Sequence, residues 1–249
     1  MNKYYLEILR EIKRKANPPA TLRVAMRAGV AMRTGEIAWV KKYMGTNKIF
    51  YCLKSATKKK IAKDWIKNHL DISLSDYIEL LNSLFAGKSH EEICIASLLL
   101  QFLPKLRKQL NPKNLDKWID NACGWGEIDS ICQSNFSSEE LLGDWKIWKK
   151  LLSKFSKDKN ISKRRASLVL LTKPTKTSKN PKLSGLAFDN IDKLKFEKDI
   201  LITKAVSWLL RSLISHHPDK VKSYLKKNRN TLPKIAIRET ERKLLTGRK

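Results

Sequence analysis

At 249 residues the chain can bury a sizeable core, as one large domain or two small ones. Its 52 Lys and Arg against 24 Asp and Glu leave a formal charge of +28, a surplus that binds polyanions, with DNA or RNA the obvious partner. No apolar run approaches the roughly 20 residues of a membrane span. The N-terminal MNKYYLEILREIKRK contains acids, unlike a secretory signal. Cys52, Cys94, Cys123 and Cys132 show no CxxC spacing and form no metal pattern with the four His, so they read as buried thiols in a reducing compartment.

Only 9 Gly and 8 Pro punctuate the chain, and no run alternates strictly, so the apolar pattern is helical and the fold class is all-α. NPPAT (17 to 21) ends a first helix and starts a second. Further helices are expected at about 36–44, 57–69, 73–86, 90–103 and 113–121, then at about 138–155, 161–171, 186–196, 199–215, 218–228 and 233–245. The polar segment KPTKTSKNPKLSG (173 to 185) reads as a loop.

Helices that arrive in pairs of about 35–45 residues indicate a stacked helical-repeat solenoid whose concave wall is a long binding surface. A compact helical bundle is the alternative. Charge is uneven along the chain: residues 1–70 carry 17 basic against 4 acidic residues, 71–140 carry 6 against 11, and 141–249 carry 29 against 9. For the concave face to be positive, Asp71, Asp76, Glu79, Glu91 and Glu92 must lie mainly on the convex side.

Three stretches carry candidate chemistry. In DNACGWGEIDSIC (120 to 132), Trp125 and Asp129 lie four apart and share a helix face. Gly124 and Gly126 cost helix propensity there, which close approach of another backbone or of a ligand would justify. Taken alone, Trp125 reads first as a core residue and Asp129 as a solvated or capping acid. In ITKAVSWLLRSLI (202 to 214), Ile202, Ala205, Val206, Leu209 and Leu213 form an apolar face, leaving Lys204, Trp208 and Arg211 on another, a pattern suited to phosphates and a sugar or base. In SKRRASLVLL (162 to 171), Arg164 and Arg165 precede a buried run, where a nucleic-acid backbone could be gripped.

The order W-x-x-x-D, R-R-A-S-L-V-L-L, K-A-V-S-W-L-L-R and a last helix with I-R-E-T resembles the DNA alkylation repair glycosylases of the AlkD type, built of HEAT-like repeats. YMGTNKIFYCLKSATKKKIAKDW (43 to 65) is similar to that family's N-terminal half, so the resemblance covers most of the chain. It implies one C-shaped HEAT-like domain over residues 1–249, with N-terminal helical pairs at 1–110 and active-cleft repeats at 111–249. It also implies that Asp129, Trp125 and Trp208 are the acid and aromatics of the cleft, that Arg165 and Arg211, with Arg164 and Lys204, hold DNA phosphates, and that Arg238 and Glu239 are structural. Two positions depart from the family: Gly124 stands where a first Trp is frequent, and Gly126 where Asp is common.

The activity implied is excision of cationic N3- or N7-alkylated purines from duplex DNA by a cytoplasmic, nucleoid-associated monomer, without metal, cofactor or membrane. A non-catalytic binder of damaged or branched DNA, an RNA- or ribosome-associated protein and a Schiff-base lyase are the rival functions.

Overall fold

The computed structural model describes residues 2–16 and 38–247. The expected boundary at 17–21 and the start of the helix expected at 36–44 lie outside them. Among the described residues the regular structure is helical, with one isolated bridge, Ile49 to Ser89, and no strand, as the all-α reading requires. The chain divides into two compact units, Met1–Asn114 with Asn121–Ile131, and Leu115–Asp120 with Cys132–Lys249. One short helix, within Leu115–Asp120, belongs to the later unit, and the helix after it belongs to the earlier one.

The first unit contains α1 (Lys3–Lys15), a helical stretch at 38–44, α2 (Ser55–Asn68), α3 (Leu74–Phe85), α4 (His90–Phe102) and α5 (Pro104–Arg107). Beyond α6 (Asn114–Asp120), α7 (Gly124–Cys132) returns to it. α4 is its centre, packed by α1, α2 and α3 and buried along nearly its whole length from His90 to Leu100. A helix buried on all sides keeps polar groups only if they are satisfied. The start of α4 meets that condition with a capping box between Ser89 and Glu92, and Glu92 also accepts from the Tyr5 hydroxyl at 2.8 Å. Glu91 accepts from the backbone N–H groups of Tyr51 and Leu53 at 3.0 and 3.3 Å. Both acids are therefore interior, not on the convex surface where the sequence reading placed them.

The second unit takes the end of α6 and then α8 (Ser138–Gly143), α9 (Trp145–Phe155), α10 (Ile161–Thr177), α11 (Pro181–Leu194), α12 (Ile200–Leu213), α13 (Pro218–Lys227) and α14 (Lys234–Thr246). α10 packs on α12 and α12 on α14, forming one layer. α9 and α11 pack against α10, and α11 and α13 against α12, from the other layer. Paired helices stacked in this way are the expected helical repeat. The apolar stripe of α12 sits in the core, with Ile202, Ala205, Val206, Leu209 and Leu213 all fully buried. Its helices start on side-chain caps: Asn160, Asn180 and Asp199 each accept from a backbone N–H at the head of α10, α11 and α12.

Three expectations are corrected. The segment at 173–185 is not a loop, because α10 runs through Pro174 to Thr177 and α11 starts at Pro181. Composition misled here: Thr175 is buried, with its hydroxyl donating to the Leu171 carbonyl at 2.7 Å, and Pro174 is buried beside it, so packing outweighs the missing N–H. The single helix expected at 138–155 breaks at Asp144, which ends α8 and starts α9. The cysteines are not uniformly buried, since Cys52 is exposed and Cys123 half-buried.

Candidate active site

In the first unit the geometry begins with a glycine. Gly124 has φ +66°, and a Cβ added to it would lie 1.9 Å from the Met44 carbonyl oxygen and 2.6 Å from the Gly45 carbonyl carbon. The 44–45 turn, where Gly45 itself has φ +74°, therefore rests directly on the start of α7. This is the close backbone approach that the two glycines implied. At Gly126 the nearest neighbour is the terminal methyl of Met44, which can move.

Backbone contact at Gly124 fixes Trp125. Its indole Nε1 donates to the Tyr43 carbonyl at 2.7 Å, and its ring meets the Tyr43 ring edge-on with centroids 5.3 Å apart. Trp39 stacks on the same tyrosine, also at 5.3 Å and within 1° of parallel. Trp39 and Tyr43 are 64% and 57% exposed, so the three rings present an aromatic surface. Asp129 lies one turn beyond Trp125 on α7, and both are half-buried. Trp125 is thus neither a fully buried core residue nor an isolated one.

Sequence reasoning missed Trp39 and Tyr43, and also Glu127. Glu127 is fully buried and accepts from the Thr46 hydroxyl at 2.7 Å, the Cys123 backbone N–H at 2.8 Å and the His90 imidazole at 3.3 Å. One carboxylate thereby ties the head of α7 to the 44–46 loop and to α4. The available signal was positional: an acid four residues after Cys123 can reach back to an N–H at its own helix start.

The second unit carries the cations. Arg164 is paired with Glu197 at 2.7 Å and donates to the carbonyls of Asp158 and Lys159 at 2.9 and 2.8 Å, which holds the turn before α10. Arg165 is 4% exposed, and its guanidinium donates to the Leu201 carbonyl, bracing α10 against α12. On α12, Lys204 is exposed while Trp208 and Arg211 are half-buried. Arg211 donates to the Ser207 carbonyl at 3.2 Å and pairs with Glu239 at 3.2 Å; Ser207 donates to the same carboxylate at 2.5 Å. Glu239 therefore orients the arginine, in keeping with the structural part expected of it.

Nearby, Lys163 is nearly buried and lies 2.7 Å from both Asp116 and Asp120, clamping α6 to α10. Burial opposes ionisation of Asp116, but the hydrogen bonds from Lys154 and Lys163 outweigh it and hold its carboxyl below the usual range.

Among the described residues no group of three or more His, Cys, Asp or Glu is arranged to hold a metal ion, and no helix is long and apolar enough to cross a membrane. A solved structure from Enterococcus faecalis, described as a predicted DNA alkylation repair enzyme, matches with a TM-score of 0.69 over 84% of this chain and 94% of that one. Identity is 16%, so the likeness concerns the fold. No curated protein matches. The family model for the DNA alkylation repair enzyme matches residues 32–244, and the chain belongs to that family.

Proposed function

We propose that this member of the family is a DNA glycosylase that releases cationic N3- or N7-alkylated purines from duplex DNA. The observation that carries the reading is the pairing of Asp129 with Trp125 on a helix whose start is fixed by backbone contact at Gly124. An alkylated purine bears positive charge and is already a good leaving group. The enzyme's task is to stabilise the sugar as it gains oxocarbenium character, and a fixed carboxylate does so electrostatically while orienting the attacking water. Asp129 takes that part.

Trp125 packs on the deoxyribose. The position of the family's frequent first Trp is filled by a glycine whose Cβ space is taken by the Met44–Gly45 backbone. The exposed Trp39 and Tyr43 rings supply aromatic surface beside it, from a different part of the chain. In the second unit, considered by itself, Trp208 is an aromatic contact to DNA. Lys204 and Arg211 hold phosphates, with Arg164 pairing with Glu197 and Arg165 bracing α10 against the helix that carries them.

No metal or cofactor takes part, and the protein acts as a monomer. Incubation of the wild-type chain with methylated duplex DNA, followed by chromatography of released bases, tests the reading. Free 3-methyladenine or 7-methylguanine is expected. Tight binding to the DNA with no base released would replace the enzyme by a non-catalytic binder.

A further inference from the structure

Apart from Asp129 and Trp125, the first unit contains a second set of reactive groups. On α4, Cys94 Sγ lies 3.2 Å from His90 Nε2, one helical turn away. The other ring nitrogen, Nδ1, is 3.3 Å from Glu127 of α7, so carboxylate, imidazole and thiol stand in a row. Lys58 of α2 brings its ammonium to 3.7 Å from the sulfur, and Ser130 of α7 brings its hydroxyl to 4.0 Å. The Phe50 ring covers the imidazole at 5.2 Å. Cys94 itself is buried, with 8% of its surface exposed.

The charged and titratable groups facing the pair are Glu127 from α7, Lys58 from α2 and, beyond Glu127, the Cys123 thiol. Burial penalises both charges, yet the hydrogen bonds of His90 to Cys94 and Glu127 outweigh it and push the imidazole up to about 9. The same bond to His90 and the nearby Lys58 hold Cys94 below the ordinary thiol range against the effect of burial. Elsewhere the direction is opposite: Cys52 and Cys123 are both pushed up, first by burial and then by neighbouring carboxylates.

We propose that Cys94, His90 and Glu127 form a nucleophilic thiolate site that accepts an alkyl group from small, soft carbon electrophiles such as alkyl sulfonates. Glu127, itself anchored by Thr46 and the Cys123 N–H, fixes the imidazole; His90 holds the thiol proton; Lys58 stabilises the sulfur anion. In the reaction the sulfur attacks a saturated carbon, the S–C bond forms as the carbon–oxygen bond to the sulfonate breaks, and the sulfonate departs with the electron pair. The thioether carries no charge, so the His90 proton passes to water. One alkyl group is taken up per chain, irreversibly, by a residue outside the proposed base-release site.

The test is methylation of the native protein by methyl methanesulfonate between pH 6 and 8.5, with S-methylation at each cysteine quantified by peptide mass spectrometry. The nearly buried Cys94 is expected to react at least about tenfold faster than the exposed Cys52 at pH 6.5. Its rate should stay nearly flat across the range, whereas that of Cys52 climbs about tenfold per pH unit. His90→Gln should slow Cys94 about tenfold or more, give it the climbing profile of an ordinary thiol and leave Cys52 as it was. A Cys94 that stays unmodified while Cys52 is consumed, or that climbs with pH in parallel with Cys52, overturns the proposal from the wild-type data alone. Should His90→Gln fold poorly, the wild-type pH profile still decides.

Discussion

In the first unit the buried carboxylates, Glu91, Glu92 and Glu127, accept from backbone N–H groups, hydroxyls and an imidazole. In the second unit the nearly buried cations, Lys163 and Arg165, donate to aspartates and a carbonyl. The difference shows that a segment's charge count is a poor guide to its surface. Three of the eleven acids in residues 71–140 are interior and matched to donors, so the acidic middle of the sequence is less acidic outside than it reads. In the basic C-terminal part, likewise, Lys163 and Arg165 are bracing the fold. What remains on the surface is the rest, of which Lys204 is the plainest case.

The first unit is most vulnerable at Gly124. Gly124→Ala places a methyl against the Met44 and Gly45 backbone at a positive φ, and is expected to cost about 3 kcal/mol or more in chemical denaturation while displacing Trp125. A variant as stable as the parent would mean that the 44–45 turn does not rest on α7.

Removing the second unit's clamp comes next. Lys163→Met should cost about 2 kcal/mol at neutral pH. The Asp116 carboxyl is depressed by Lys154 and Lys163, so the stability it contributes is present above the unfolded value of about 4 and is lost as pH falls through the lower folded value. The gap between Lys163→Met and the parent should therefore narrow in acid; a gap that widens as pH falls would contradict the clamp.

Gly185 is the counterpart of Gly124: it lies inside α11, and a Cβ there meets nothing within 4 Å. Gly185→Ala should raise stability by about 0.5–1 kcal/mol, and thermal unfolding that shows a loss would mean that the position is not open. The smallest effect is expected from Lys204→Ala, which should leave stability unchanged and lower the slope of log K against log salt by about one. Arg165→Ala should instead unfold more readily and change the slope less. The reverse pattern, measured by salt titration, would make Arg165 the phosphate contact.

Much of this was legible in the residues. The apolar stripe of α12 and the shared face of Trp125 and Asp129 follow from a 3.6-residue period, and Gly124 announced a close approach because no other residue gains from that position in a helix. The segment at 173–185 was misread because its polar composition resembles a loop, whereas Thr172 and Thr175 satisfy their hydroxyls on carbonyls of their own helix and can be buried. The Trp39, Tyr43 and Trp125 cluster, and the row from Glu127 through His90 to Cys94, each bring a residue of α7 against one 82 or 37 positions earlier in the chain. No periodicity records such meetings; only the tertiary fold makes them.

The most direct test of the account separates binding from chemistry at Asp129. Single-turnover release of 7-methylguanine from duplex DNA and affinity for the same duplex should be measured side by side for the parent and Asp129→Asn. A carboxylate near phosphates slightly opposes binding and becomes favourable only as positive charge builds on the sugar. The substitution should leave affinity unchanged or a little tighter while base release falls by about a hundredfold or more. Equal rates of release from the two proteins, with unaltered thermal stability, would contradict the account and remove Asp129 from the active site.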